Sequence, residues 1–381
     1  MEIGNVLVIG NSGVGKSTLI NAVLGEEQAE TGWGTTGTTK ELVIHTSKKV
    51  PFRLIDTVGF EPTPIKARKA INAVKKWSKE SAKDEKENTK INVIWFCVEG
   101  TSRKLFPKTI IDLSKATSMW KSVPVVVVIT KSYSIPERKH NIEMVNNAFA
   151  KQKRFSKNLR GVIPVVASTY VLNDNAFAPP EGIIELIDAT NELMPEGIKA
   201  SETDIERFKL NRKRALAQSV IGVSTSAAVF VAAIPIPYPD ATILVPIEIT
   251  MVNSLAKIYG ISKNEQSKDF FGTIIEVGSV GILAKTILNA LKAVPGVNIG
   301  VSALNAIVAG SIVAMLGEGS ILIFEQIYLG NKTVTDIRWA RELLEGRFTP
   351  LLEKAELIAK NSNNVKDPME IAKIIIDSFK K

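Results

Sequence analysis

The chain has 381 residues, 45% of them hydrophobic and 23% charged, a balance that excludes global disorder and leaves room for two domains. Its formal net charge of +9 is uneven, with 28 Lys+Arg against 21 Asp+Glu in residues 1–200 and 20 against 18 in residues 201–381. The excess positive charge suits a partner that bears phosphates: nucleotide, RNA or anionic lipid.

Cys97 is the single cysteine and lies in an apolar run, so no disulfide framework exists and a buried core thiol is expected. With His45 and His140 the only histidines, a His/Cys metal cluster cannot be assembled, and any divalent ion must be held by oxygen. The first strand is expected to begin at about Ile3, which leaves no space for a cleavable leader. The expected compartment is the cytoplasm, or the inner face of the cell membrane.

In chain order, Ile3–Ile9 opens a set of unbroken Val/Ile runs that read as strands covered on both faces, as in a mostly parallel sheet between helices. The run ends in Gly10-Asn11-Ser12-Gly13-Val14-Gly15-Lys16-Ser17-Thr18, the GxxxxGK[ST] pattern between a strand and an amphipathic stretch to Leu24. Glycines there let successive N–H groups, from Asn11 to Thr18, turn inward around phosphates, helped by the positive helix end. Lys16 is placed to reach the β- and γ-phosphates, and the Ser17 hydroxyl to coordinate Mg²⁺.

A polar Thr/Gly segment, Thr35-Thr36-Gly37-Thr38-Thr39-Lys40-Glu41, precedes the strands Leu42–His45 and Phe52–Ile55. Ser47-Lys48-Lys49 between these strands reads as a hairpin turn, making one edge strand antiparallel. Asp56-Thr57-Val58-Gly59 ends the second of them, so Asp56 can hold the Mg²⁺ hydration shell and the Gly59 N–H can bond a γ-phosphate. Pro64–Lys90 is a strongly charged helix and loop. Further strands follow at Ile91–Val98, Val123–Ile129 and Val162–Val166. After the second of these, Thr130-Lys131-Ser132-Tyr133 places Lys131 where a base and ribose would pack. After the third come Ala167-Ser168-Thr169. Seven basic residues between Arg138 and Arg160 read first as a solvated face, with anionic lipid or RNA as alternatives.

Past Met194-Pro195 the strands stop. Helices are expected near 203–234, 241–259, 265–293 and 297–329, followed by shorter polar ones near 333–346, 348–360 and 367–380, with Pro235–Pro239 and Pro295-Gly296 as breakers. The division expected is an α/β domain over 1–196 and an all-α domain over 197–381. Ala215–Pro239 and Ala293–Gly317 carry no charge and are each long enough to cross a bilayer. Prolines, asparagines and serines dilute them, so membrane insertion, surface association and a soluble bundle all stay open.

These motifs resemble the TrmE–Era-like P-loop GTPases. Gly37-Thr38-Thr39-Lys40-Glu41 resembles their GTTRD segment, which implies that Thr39 serves Mg²⁺ and the γ-phosphate, with Thr38 the competing residue. Ala167-Ser168 looks like the last base-contacting motif, and Thr130-Lys131-Ser132-Tyr133 stands where the family carries [NT]KxD, with Tyr133 in place of the guanine-reading aspartate. Phe60 replaces the water-orienting glutamine of Ras-like relatives, so slow turnover is expected. Trp95–Arg103, the Pro-Ile-Pro-Tyr-Pro stretch and Val294–Val297 resemble a bacterial subgroup with a fused helical domain of unknown function. The resemblance implies a Ras-like P-loop GTPase fold followed by a helical domain, GTP and GDP as ligands, Mg²⁺ as cofactor, and Lys16, Thr39 and Gly59 at the catalytic centre. Three readings remain: a switch whose output is lipid contact through residues 203–330 or homo-oligomer assembly, a ribosome- or RNA-associated GTPase, and a nucleotide-binding scaffold.

Overall fold

The structure, a computed structural model, describes residues 3–25, 30–32, 42–46, 52–57, 72, 90–101, 111, 122–152, 156–173, 176–196, 198, 201–234, 241–278, 280–294, 299–362, 365 and 367–379. It divides into two compact units: Met1–Ser168 with Pro180–Arg212, and Thr169–Pro179 with Lys213–Lys381.

The first unit is a seven-stranded sheet with helices. Its strands are β1 (Gly4–Gly10), β2 (Glu30–Gly32), β3 (Leu42–Thr46), β4 (Phe52–Thr57), β5 (Val93–Glu99), β6 (Val125–Thr130) and β7 (Leu159–Pro164), in the spatial order β2-β3-β4-β1-β5-β6-β7. β4, β1, β5, β6 and β7 run parallel, and β2 and β3 are antiparallel additions at one edge. The unbroken Val/Ile runs of β1, β5 and β6 are buried, as parallel strands covered on both faces must be, with only Glu99 at the end of β5 partly exposed. Among the described residues, the helices of this unit include α1 (Lys16–Leu24), α2 (Ile135–Ala150) and α3 (Ile183–Glu192). Leu7, Ile9, Phe96, Val127 and Ile129 share one core with Val145 and Phe149 of α2. On α3, the Thr190 hydroxyl accepts from the indole N–H of the fully buried Trp95 at 2.9 Å.

The strand order reverses at β1, from which the chain leads towards β4 on one side and β5 on the other. In open α/β sheets a crevice forms there, beyond the carboxyl ends of the strands. The glycine-rich segment after β1 sits at that switch point.

Two local expectations needed correction. The strand expected at Val162–Val166 runs from Leu159 to Pro164, and Val166 makes only an isolated bridge to Glu181. β7 is the edge strand, where a proline without an N–H is tolerated. The short hairpin β8 (Tyr170–Asn173) with β9 (Ala176–Ala178) escaped sequence reading, and it groups with the second unit.

The helical unit is assembled around one long helix. Its elements are α4 (Glu202–Ala233, which also supplies the first unit up to Arg212), α5 (Ala241–Tyr259), α6 (Lys268–Gly278), α7 (Val280–Lys292), α8 (Val301–Tyr328), α9 (Ile337–Glu345), α10 (Phe348–Asn361) and α11 (Pro368–Phe379). The helix expected near 265–293 is described as α6 and α7, the stretches on either side of residue 279, and Leu316 packs onto Gly278.

α8 is buried through most of its length because α4 to α7 and α9 to α11 surround it. Its small residues allow this: a Cβ on Gly317 would come within 2.6 Å of Ile221, and one on Gly310 within 2.5 Å of Val229. At its far end Glu325 receives the Arg214 guanidinium through two N–H groups and the Tyr259 hydroxyl at 3.0 Å. Burial, with the Glu325 carboxylate beside it, pushes the Tyr259 phenol well above its usual range. The buried Glu325 carboxylate is thus met by a cation and a hydroxyl, as a charge in an apolar bundle requires.

Candidate nucleotide site

The segment after β1 owes its path to close packing. A Cβ on Gly10 would lie 2.5 Å from the Cys97 carbonyl oxygen, so only glycine fits beside β5. Gly13 and Gly15 have φ of 79° and 95°, the left-handed region that a side chain disfavours. Gly15 is the N-cap of α1, so the unpaired N–H groups of the first turn open toward this loop. The Lys16 ammonium folds back on the loop, donating to the carbonyls of Gly10 at 3.0 Å and Asn11 at 3.2 Å. Lys16 is only 8% exposed.

Asp56 stands opposite, at the carboxyl end of β4, in register with Val8 of β1. Thr57 anchors that end by donating its hydroxyl to the Val8 carbonyl at 3.1 Å. Asp56 is buried, its Oδ1 has no hydrogen-bond partner, and the buried Oδ1 of Asn11 in the loop also lacks one. Burial raises the Asp56 carboxyl above the usual range, and the Lys16 charge acts against that rise. A buried carboxylate oxygen left without a donor costs free energy unless a cation or ordered water meets it. Together with the exposed Ser17 hydroxyl it forms an oxygen-only donor set, the chemistry that a small hard dication such as Mg²⁺ requires. These residues fit the ion that the sequence implies.

The loop after β6 is tied to the glycine-rich segment through side chains. The buried Thr130 hydroxyl bridges Val14 and Val98, with oxygens 2.5 Å and 3.0 Å away. The Lys131 ammonium donates to the Gly13 carbonyl at 3.0 Å and pairs with Glu99 at 2.8 Å. Its stem passes above the loop, the nearest atom, Cε, lying 3.9 Å from where a Gly15 Cβ would be. Ser132 is buried, its hydroxyl donating to the Ile129 carbonyl and its N–H to that of Val165. Ala167 is half-buried and Ser168 exposed just beyond.

The structure thus gathers Asn11, Ser12, Gly13, Val14, Gly15, Lys16, Ser17, Thr18, Asp56, Thr130, Lys131 and Ser132 at the carboxyl ends of β1, β4 and β6. Ala167 and Ser168 follow β7 on the same side. Thr38, Thr39, Gly59 and Phe60 lie outside the described residues. Sequence reading gave no role to Glu99 or Thr57. Their signal was position, since each polar residue closes a buried strand at the edge where ligands bind. One member of the basic cluster is also reassigned. Arg138 turns inward, pairing with Glu181 at 2.7 Å and donating to the Ser132 carbonyl at 2.9 Å. It braces the Lys131 loop and is not part of a solvated face.

Comparison with known proteins agrees with this geometry. Residues 5–131 match the family described as 50S ribosome-binding GTPase, and residues 199–344 match a domain of unknown function, DUF697. The chain is 27% identical over 233 residues to the GTPase Era of Actinobacillus pleuropneumoniae serotype 3, covering 55% of this chain and 72% of the relative. A shorter match, 37% over 84 residues, covers 21% of this chain and 11% of Translocase of chloroplast 90 from Arabidopsis thaliana. Among solved structures, an Aquifex aeolicus Era variant bound to GDP·AlF₄⁻ is 20% identical, with 63% of this chain and 71% of the other covered and a TM-score of 0.36. The apo cytosolic domain of the T. maritima FeoB iron transporter is 13% identical, with 93% of this chain and 98% of the other covered and a TM-score of 0.33. The sheet order and the phosphate loop make a Ras-like P-loop GTPase fold followed by a helical region, the first similar to Era-like GTPases and the second to DUF697 domains.

Proposed function

We propose that this GTPase is a Mg²⁺-dependent switch whose helical domain carries the output. The observation that carries the reading is the pairing of a glycine-rich loop under Lys16 with the unsatisfied Asp56 oxygen across from it. On nucleotide binding Lys16 exchanges its two loop carbonyls for phosphate oxygens, and the α1 N–H groups add to the positive field. Ser17 and Asp56, with Thr39, hold Mg²⁺, which when bound neutralises charge on the β- and γ-phosphates. The Gly59 N–H meets the γ-phosphate, so the segments around Thr39 and Gly59 are the parts that answer to nucleotide state.

Base recognition falls to Lys131, Ser132 and the backbone at Ala167-Ser168, because a phenol at Tyr133 cannot accept two guanine N–H groups as a carboxylate does. Phe60 cannot orient water, so turnover without a partner is below about one per minute, in the range of unstimulated switch GTPases.

Binding of labelled GTP in Mg²⁺, competed by GDP or ATP, tests this reading in wild type and Lys16→Ala. Competition by GDP but not ATP, lost in the mutant, supports a guanine switch. Equal competition by ATP makes it a general nucleotide phosphatase, and no saturable binding overturns it.

For the output, three helical stretches among the described residues are long and apolar enough to cross a membrane: Thr203–Ala233, Glu265–Lys292 and Val301–Tyr328. The last is 94% buried over its most apolar window, so it is the bundle core, whereas the other two are less than half buried. Phe230 and Ile234 are about half exposed at the end of α4. These faces support contact with a lipid surface more than a span. A second reading, a ribosome-associated GTPase, is favoured by the family description and by the Era relatives. Pelleting with vesicles that resists salt supports the first, and salt-sensitive sedimentation with ribosomes supports the second.

A further inference from the structure

We propose that Glu99 is a positioning residue for nucleotide binding: it fixes the Lys131 ammonium on the phosphate loop, so that the lysine stem forms a set platform for the base. The proposal rests on the nucleotide-binding reading above. Three features carry it. Glu99 Oε1 accepts from Lys131 Nζ at 2.8 Å and from the Thr101 hydroxyl at 2.9 Å, so the carboxylate is itself held in place. The same ammonium donates to the Gly13 carbonyl at 3.0 Å, which joins Glu99 to the loop that would wrap the phosphates. Lys131 is also the one non-glycine residue with positive φ among the described residues, at 52°. Backbone strain of this kind persists where surrounding contacts over-determine a conformation, commonly at ligand sites.

An ordinary half-exposed ion pair contributes little to stability. Glu99 and Lys131 are 29% and 34% exposed, and their pairing alone would not matter to the fold. Its consequence is directional. Without the pair, the long lysine side chain has many rotamers, and holding it in one orientation must then come from binding free energy. With Tyr133 standing where a base-reading carboxylate is usual, more of the base contact depends on that stem. Glu99 acts through Lys131 and has no contact of its own with the nucleotide.

The test is the release rate of a fluorescent GDP analogue from the full chain in Mg²⁺, for wild type, Glu99→Ala, Glu99→Gln, Lys131→Ala and the double Ala variant. Loss of a charge-assisted hydrogen bond should speed release about tenfold in Glu99→Ala, and by less in Glu99→Gln, which keeps an acceptor oxygen. The double variant should match Lys131→Ala within about twofold, because residues that act through one contact are not additive. Competition by inorganic tripolyphosphate, which lacks a base, should be the same in wild type and Glu99→Ala. Unchanged release in Glu99→Ala, multiplied effects in the double variant, or an equal loss of tripolyphosphate binding would overturn the proposal. Should Glu99→Ala fail to fold, Glu99→Gln against Lys131→Ala decides in the same way. A wild type that binds no GDP analogue would sink the nucleotide reading together with this one, whereas normal wild-type binding with an indifferent Glu99 sinks this one alone.

Discussion

At the scale of single residues, two carboxylates in one site are driven in opposite directions. Burial raises Asp56, whereas the Lys131 hydrogen bond holds Glu99 below the usual carboxylate range. In the proposed role Asp56 would hold Mg²⁺ only when ionised, so Mg²⁺ affinity should weaken on acidification, beginning at a higher pH than an ordinary aspartate would give. Titrating Mg²⁺-dependent GTP binding from pH 8 to pH 5 checks this, with Asp56→Asn as the variant that should lack the trend. For Glu99 the shift is opposite, so the loss on acidification comes only at lower pH. A depressed carboxyl contributes above its unfolded value, and that contribution is lost as pH falls through its folded value. Thr130 gives a stability prediction. Thr130→Val leaves the Val14 carbonyl without its short donor and should cost about 1–3 kcal/mol in urea unfolding.

Elements are placed by period and by the absence of side chains. The Val/Ile strands and the long Ala/Val helices could be located from the sequence because burial on both faces leaves an unbroken apolar run. The packing around α8 could not, since it depends on residues distant in the chain, such as Leu316 of α8 and Gly278 of α6, coming together. The same logic makes α8 sensitive to added volume. Gly317→Val would gain about 0.5 kcal/mol of helix propensity. It would also press on Ile221 and Met251 and cost about 1–3 kcal/mol by overpacking. Net destabilisation is expected, seen as a lower urea midpoint at unchanged m-value.

For the molecule as a whole, each compact unit has its own core and its own polar anchor. In the helical unit the anchor is Glu325, buried among Arg214, Tyr259 and the α8 turn. Glu325→Gln keeps the volume but removes the charge that orders both donors. A loss of about 2 kcal/mol is expected, moderated because Arg214 is half exposed. Calorimetry should show the helical transition shift down while GDP binding is retained, if the two units melt separately. A single transition that moves together with nucleotide affinity would mean that the units are energetically coupled.

The sequence by itself determined the phosphate loop, the alternation of strand and helix, and the change to an all-helical second half. Each is written in local spacing: glycines and Lys16 on contiguous positions, and apolar periods within one element. Only the tertiary structure decided that Glu99, 32 residues from Lys131, is its partner, that Thr130 holds Val14 across 116 residues, and that Arg138 faces inward to Glu181. Those pairings follow from which strands lie side by side, and strand order is set by the packing of the whole sheet, which no local period encodes.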